Sequence, residues 1–324
     1  MFEVSPAQRR VGLVLGAGGT TGAAFHAGTL LALEHDLGWD PRTADVIVGS
    51  SAGSIVGSLL RAGVTTDDLA AWGADTVPSE AGIESRRLLD ELDQEGYHIT
   101  PPRARWRRPS PALLRRLANP LHAGLNAAAM SLLPHGWIDA GTSLRRLGTL
   151  VDGWPAEALW INAVRTSDGR RVVFGRDAEA SLGEAIAASC AIPMLFRPVK
   201  IDRRYYIDGG AHSPTNADVL VDSGVELAIV SSPMSARPSA AGRRADGPMR
   251  ALLGRRLRRE CAQLERAGIQ VRVFQPGTRT LSAMGFNALD RRRSPAVVRE
   301  AFLDAGTRIS TDAGLRDALR AVAV

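Results

Sequence analysis

Ala44-Asp45-Val46-Ile47-Val48-Gly49-Ser50-Ser51-Ala52-Gly53-Ser54-Ile55-Val56-Gly57-Ser58-Leu59-Leu60-Arg61-Ala62-Gly63 is the stretch whose reading decides the fold. Asp45 to Val48 read as a short buried strand. Ala52 to Arg61 read as a helix in which Ala52, Gly53 and Gly57 let neighbouring backbone come close. Between them Gly49-Ser50-Ser51-Ala52-Gly53 fits G-x-S-x-G, a turn so tight that side chains at its first and last positions would clash with backbone. Ser51 then stands at a helix N-terminus, where partial positive charge favours an alkoxide-like nucleophile and the oxyanion it creates. In a chain rich in alanine and glycine the pattern alone could be a small-residue turn. Its place between an apolar strand and a helix makes Ser51 a candidate nucleophile.

Upstream, Val11 to Leu15 form a continuous apolar run, read as a buried strand. Gly16-Ala17-Gly18-Gly19-Thr20-Thr21-Gly22 follows, and then an apolar helix from about Ala23 to Leu37. Strand, glycine loop and helix in that order make a nest of backbone N–H groups aimed at a negative charge. A nucleotide phosphate is one candidate, but G-x-G-x-x-G would need glycine at Thr21. There is also no Gly-Lys-Ser/Thr, and the next strand runs into the serine turn rather than a ribose-binding acid. The oxyanion of acyl transfer is the better fit, held by the amides of Gly18 and Gly19 if the two strands are neighbours in one sheet.

Downstream, Asp67 to Trp72 and Ser85 to Leu92 look helical, and Thr100 to Pro111 is a Pro- and Arg-rich loop. Leu113 to Leu133 has many apolar residues, and residues 78–150 are a possible cap, with Leu121 to Leu133 a possible flap toward lipid or else ordinary packing. Leu144 to Val151 read as helix. Leu159 to Val164 and Arg171 to Gly175 read as a hairpin around Ser167-Asp168-Gly169. A helix over Leu182 to Ser189 leads to paired strands at Val199 to Asp202 and Arg204 to Ile207. Asp208-Gly209-Gly210 closes the second strand. An Asp-Gly pair commonly caps a turn, but glycines beside a strand-end carboxylate also leave it open to a cleft, and with Ser51 present Asp208 becomes the candidate base.

Thr215 to Val221 read as a helix, Glu226 to Ser231 as a buried strand and Ser235 to Gly247 as a polar loop. In the helical C-terminal part, 248–324, Met249, Leu252, Leu253, Leu257, Cys261 and Leu264 fall on one stripe, with Arg250, Arg255, Arg256, Arg258 and Arg259 mostly on the surface. Ile269 to Gln275 read as a late strand, Arg291-Arg292-Arg293 as a basic loop, and two helices close the chain. No repeat or linker marks a boundary, so residues 1–324 are expected to form a single domain.

With 324 residues and 45% hydrophobic side chains the chain can bury a large core. The formal charge of +6 permits an acidic partner such as an anionic membrane surface, although solvated helix faces account for it more simply. Nucleic acid is not indicated. Cys190 and Cys261 are too few for a disulfide framework, and no Cys/His cluster has metal-ligand spacing, so neither metal nor cofactor is expected. The N-terminus has no apolar signal core, and no stretch approaches the ~18 apolar residues of a membrane span. The expectation is a cytoplasmic protein that touches membranes peripherally at most.

A serine hydroxyl needs a neighbour to take its proton. Of the six histidines only His212 follows Asp208, four residues on in the same loop. That spacing makes a Ser51, Asp208, His212 triad awkward, whereas a direct Ser51–Asp208 dyad needs only contact and partial burial of the carboxylate.

With these residues in place the chain resembles the patatin-like phospholipases. Gly16 to Gly22 matches that family's glycine-rich loop, Gly49 to Gly53 its G-x-S-x-G, Ala188 to Pro198 its Ala-Ser-x-Ala-x-Pro-x-x-Phe-x-Pro block, and Asp208 to Gly210 its Asp-Gly-Gly, in the family's order. The resemblance implies a three-layer α/β/α sandwich around a mostly parallel sheet. It implies acyl-enzyme chemistry on lipid esters without a metal, Ser51 as nucleophile, Asp208 as base, and Gly18 and Gly19 as oxyanion donors. Residues 64–158 and 232–324 lie outside it. Two departures stand in the glycine loop, Thr21 where the family usually has Arg or Lys and Ala17 in place of a glycine. A non-catalytic lipid- or protein-binding module on the same fold is the alternative they raise.

Overall fold

The computed structural model describes residues 9–71, 79–94, 98–99, 109–118, 125–139, 141–150, 153–236, 240 and 244–320. The strands are β1 (Val11–Leu15), β2 (Val46–Gly49), β3 (His98–Ile99), β4 (Ile138–Asp139), β5 (Ala158–Arg165), β6 (Arg170–Phe174), β7 (Val199–Ile201), β8 (Arg204–Asp208), β9 (Leu227–Ser231) and β10 (Gln270–Phe274). All but β3 and β4, which pair with each other, form one sheet in the order β10-β9-β1-β2-β5-β8-β7, with β6 also on β5. The pairs β10·β9, β9·β1, β1·β2 and β2·β5 are parallel, and β5·β6, β5·β8 and β8·β7 antiparallel.

Every residue of β1, β2 and β9 is buried, as unbroken apolar runs demand of central parallel strands. Alternate side chains divide between two cores. Leu13, Leu15, Ile47 and Ile229 pack with Phe25, Leu30, Leu59, Ile186 and Val297 on one face. Val14, Val46, Val48 and Val230 pack with Leu220, Leu257 and Leu264 on the other. Helices therefore cover both faces of a mostly parallel sheet, the three-layer α/β/α sandwich. No described helix is long and apolar enough to cross a membrane.

Several expectations shift. The first helix spans Gly19–Leu37, four residues longer at its start than read, because Gly22 N–H donates to the Gly18 carbonyl at 2.9 Å and closes an extra turn. Thr215 to Val221 yields only a 3-10 turn over Ala217–Leu220, since Asn216 adopts φ 53° in the left-handed region. The Gly247–Arg266 helix buries Leu257, Cys261 and Leu264 but leaves Met249 and Leu252 50% and 58% exposed, so its apolar stripe meets the core only along its second half. Arg250, expected at the surface, is buried and bonds to Asp246 at 2.7 Å and the Pro233 carbonyl at 2.8 Å. The Thr278–Met284 helix was not anticipated. Of the expected cap, Glu80–Gln94, Pro111–Leu117 and Leu125–Met130 are helical, while most of the Pro- and Arg-rich loop and the start of the apolar flap lie outside the described residues.

Candidate active site

β2 ends at Gly49, the next helix starts at Ala52, and the reversal between them throws Ser51 to φ 52°, ψ −122°. That backbone is strained for any residue with a Cβ and persists only where its surroundings over-determine it. Here they do. Ser50 N–H donates to the Leu15 carbonyl at 3.1 Å and Gly53 N–H to the Ser50 carbonyl at 2.9 Å. Ser51 N–H donates to Ser189 Oγ at 2.9 Å, Ser189 Oγ to the Asn162 carbonyl at 2.7 Å, and Asn162 Nδ2 to the Gly49 carbonyl at 3.2 Å. A Cβ on Gly53 would lie 1.9 Å from the Leu15 carbonyl oxygen, which is backbone of a central strand and cannot step aside. Gly53→Ala is therefore expected to destabilise the fold by about 3 kcal/mol, the upper end for overpacking, as a lowered midpoint of chemical denaturation.

The sheet register brings the second group in. Ile161 of β5 pairs with Gly49 of β2 and with Phe174 of β6, so those strands flank opposite edges of β5. Ala163 pairs with Val172 of β6 and with Asp208 of β8, so β8 shares the β2 edge and Asp208 arrives two residues along β5 from the serine turn. This sets Ser51 and the Asp208 carboxylate side by side, close enough for the serine side chain to lower the carboxylate's pKa. Asp208 N–H donates to the Ala191 carbonyl at 2.9 Å, and Asp208 Oδ1 accepts from Gly210 N–H at 2.6 Å. The carboxylate is buried, and loss of water raises its pKa to about 6 against the opposing pulls of the Ser51 side chain and the Gly210 N–H bond. Cys190 walls this corner with its Sγ 3.8 Å from Ser54 Oγ, its thiol pushed up by burial and by the Asp208 charge. It is an apolar neighbour, not a second nucleophile.

The glycine loop leaves β1 where Leu15 pairs with Gly49, alongside the serine turn. Four of its amides are committed: Gly16 to the Ser231 carbonyl at 3.0 Å, Ala17 to Pro214 at 2.7 Å, Thr21 to Ala288 at 3.0 Å and Gly22 to Gly18 at 2.9 Å. The Gly18 and Gly19 amides have no acceptor among the described residues. Gly19 stands at φ 60°, and a Cβ there would meet the Ala288 carbonyl oxygen at 2.7 Å. His26 pins the loop from beneath, donating from Nε2 to the Gly16 carbonyl at 2.7 Å and accepting from Ser231 Oγ at Nδ1 at 2.7 Å. Burial lowers its pKa to about 4, so it is a neutral strut. Thr21 is buried, and no cation stands at that position.

His212 lies elsewhere electrostatically. Burial, then Arg171 and Arg256, depress its pKa to about 3 against the opposing Asp218 charge. His212 Nδ1 is buried with no hydrogen-bond partner among the described residues, so it is not held by the Asp208 carboxylate, which accepts from Gly210 N–H. His212→Ala is expected to keep kcat/KM within about threefold of wild type, where losing a general base would cost roughly a hundredfold or more. Steady-state kinetics on a soluble ester would decide.

Five residues around the site had no assigned role in the sequence: His26, Ser50, Asn162, Ser189 and Asn216. Each acts through hydrogen bonds across long sequence separations, and only Ser50 and Ser189 fall within recognisable blocks.

A family model described as patatin-like phospholipase matches residues 13–221, a span that holds Gly18, Gly19, Ser51 and Asp208. Among solved structures, the chain is similar to VipD from Legionella pneumophila, with a TM-score of 0.43 and 11% identity over 94% of this chain and 67% of that one.

Proposed function

The chain belongs to the patatin-like phospholipase family, and from that premise we propose that it is a serine acyl hydrolase of lipid esters, working through a Ser51–Asp208 dyad. The observation that carries the reading is a buried carboxylate set beside Ser51, whose side chain lowers its pKa against the effect of burial. With its pKa near 6, Asp208 is a stronger base than a solvated carboxylate yet still ionised at neutral pH.

In this reading Ser51 Oγ attacks the ester carbonyl carbon while its proton passes to Asp208. The carbonyl oxygen becomes an oxyanion, met by the unpaired amides of Gly18 and Gly19. Collapse expels the alcohol, which takes the proton from Asp208, and leaves an acyl-enzyme. Water then gives a proton to Asp208, attacks the acyl carbon and releases the fatty acid, and the proton returns to Ser51. Backbone donors leave the oxyanion supported without a cation at Thr21. The substrate class is phospholipid, lysophospholipid or neutral lipid ester, met at a membrane surface that the positive charge favours.

A panel of p-nitrophenyl esters of increasing chain length, with phospholipid and lysophospholipid vesicles, tests this in wild type and Ser51→Ala. Hydrolysis by wild type alone is the expected outcome. Binding to anionic vesicles with no ester cleaved at any length would favour the non-catalytic module instead.

A further inference from the structure

The loop after β8 joins all three parts of the site. It begins with Asp208, its Pro214 carbonyl accepts from Ala17 N–H in the glycine loop at 2.7 Å, and its Asn216 side chain reaches the serine turn. Asn216 is fully buried and held in its left-handed conformation from both sides. Thr215 Oγ1 at 2.6 Å and Ala217 N–H at 3.0 Å donate to the same carboxylate oxygen of Glu260.

Asn216 Nδ2 spreads two hydrogens over three oxygens, Ser50 Oγ at 2.9 Å, the Gly209 carbonyl at 3.3 Å and the Ser213 carbonyl at 2.5 Å. Ser50 immediately precedes the candidate nucleophile, and Gly209 immediately follows the candidate base. The other end of the carboxamide accepts from Arg171 Nη1 at 3.3 Å, and Arg171 is locked by a bidentate pair with Asp218 at 2.6 and 2.8 Å. Arg171 donates only, so it fixes the amide with oxygen toward itself and nitrogen toward the serine turn.

We infer that Asn216 is a positioning residue for the acyl transfer proposed above, tying Ser50 to Gly209 and Ser213 so that Ser51 and Asp208 stay in contact. Ser51 sits in a strained turn that relaxes once a restraint is lost, and a misplacement of about 1 Å in a reacting group can lower a rate roughly a hundredfold. The inference rests on the acyl-hydrolase reading.

The test compares Asn216→Gly, which keeps the left-handed backbone and removes the carboxamide, with Asn216→Asp, which replaces the donating nitrogen by an accepting carboxylate oxygen. Both are assayed on a soluble p-nitrophenyl ester, with rates expressed per site titrated by a fluorophosphonate so that misfolded protein does not count. The expected result is kcat lower by about a hundredfold, KM within about threefold, and an acid limb moved to higher pH because Asp208 loses the pKa-lowering influence of the Ser51 side chain. Ser50→Ala removes the other end of the tie and should lower kcat in the same sense. The double variant Asn216→Gly/Ser50→Ala should be no slower than the slower single.

A folded Asn216→Gly with kcat per site within about threefold of wild type and an unmoved acid limb overturns the inference. If Asn216→Gly does not fold, Ser50→Ala at the wild-type rate overturns it equally. These results leave the acyl-hydrolase reading intact, whereas a wild type that neither labels nor turns over removes that reading and the positioning role together.

Discussion

Asp208→Asn is expected to lower kcat by about 10³- to 10⁴-fold while making the protein more stable at alkaline pH. The catalytic loss follows from removing the proposed base beside Ser51: asparagine has the same shape but cannot take a proton, and general-base catalysis is worth roughly 10²- to 10⁴-fold. The stability gain follows from burial. In the folded protein Asp208 keeps its proton up to about pH 6, against an ordinary value of 3.8. Between those two values the native state binds more protons than the unfolded chain, so stability falls as pH rises through that window and stays lower above it. The loss is on the order of 3 kcal/mol, and asparagine does not incur it. Urea titrations at about pH 8 should show the variant more stable than wild type, and at about pH 4 the difference should vanish. A variant that is less stable at both pH values, or that turns over at the wild-type rate, would contradict this account of the carboxylate.

Ser51→Ala is expected to abolish ester turnover, by at least about 10⁴-fold, because among the described residues Ser51 supplies the hydroxyl that acts on the Asp208 carboxylate. Cys190 is adjacent but its thiol is held protonated, so it cannot substitute. Ser51→Gly separates function from strain. It is as inactive as Ser51→Ala, yet it removes the Cβ from a residue at φ 52° and is expected to stabilise the fold by about 1 to 2 kcal/mol. Kinetics show the first effect and chemical denaturation the second. Residual turnover in both variants above about one hundredth of wild type would place the nucleophile elsewhere.

Much of this arrangement was legible in the sequence for identifiable reasons. Val11 to Leu15, Asp45 to Val48 and Glu226 to Ser231 read as buried strands because a central parallel strand must be apolar on both faces, and all three lie at the centre of the sheet. The helix over Leu182–Ser189 carries a Ser181/Glu184 capping box, and its bounds match the sequence reading. Ser51 and Asp208 were each readable as strand-end residues beside glycines. The register that brings their strand ends together, with β2 and β8 against one edge of β5, is not readable from the residues themselves.

The supports were hidden for the same reason. Asn216 and Ser50 are 166 positions apart, and Ser51 and Ser189 are 138 apart. No local period or motif relates them. Arg250 misled because arginine on a helix usually faces water, and its pair with Asp246 one turn earlier together with its bond to the Pro233 carbonyl makes burial tolerable. Thr215 to Val221 misled because helix propensity cannot foresee a left-handed Asn216 whose backbone is fixed by Glu260.

The central claim is that the Ser51 hydroxyl is activated by the Asp208 carboxylate, and the pH dependence of fluorophosphonate labelling, read by intact-protein and peptide mass spectrometry, tests it most directly. The account predicts one phosphonyl group per chain on Ser51, a labelling rate that rises with a midpoint near the Asp208 pKa of about 6, and slow, pH-independent labelling in Asp208→Asn. Label on another residue, or the same rate and midpoint with Asp208 replaced, would contradict it.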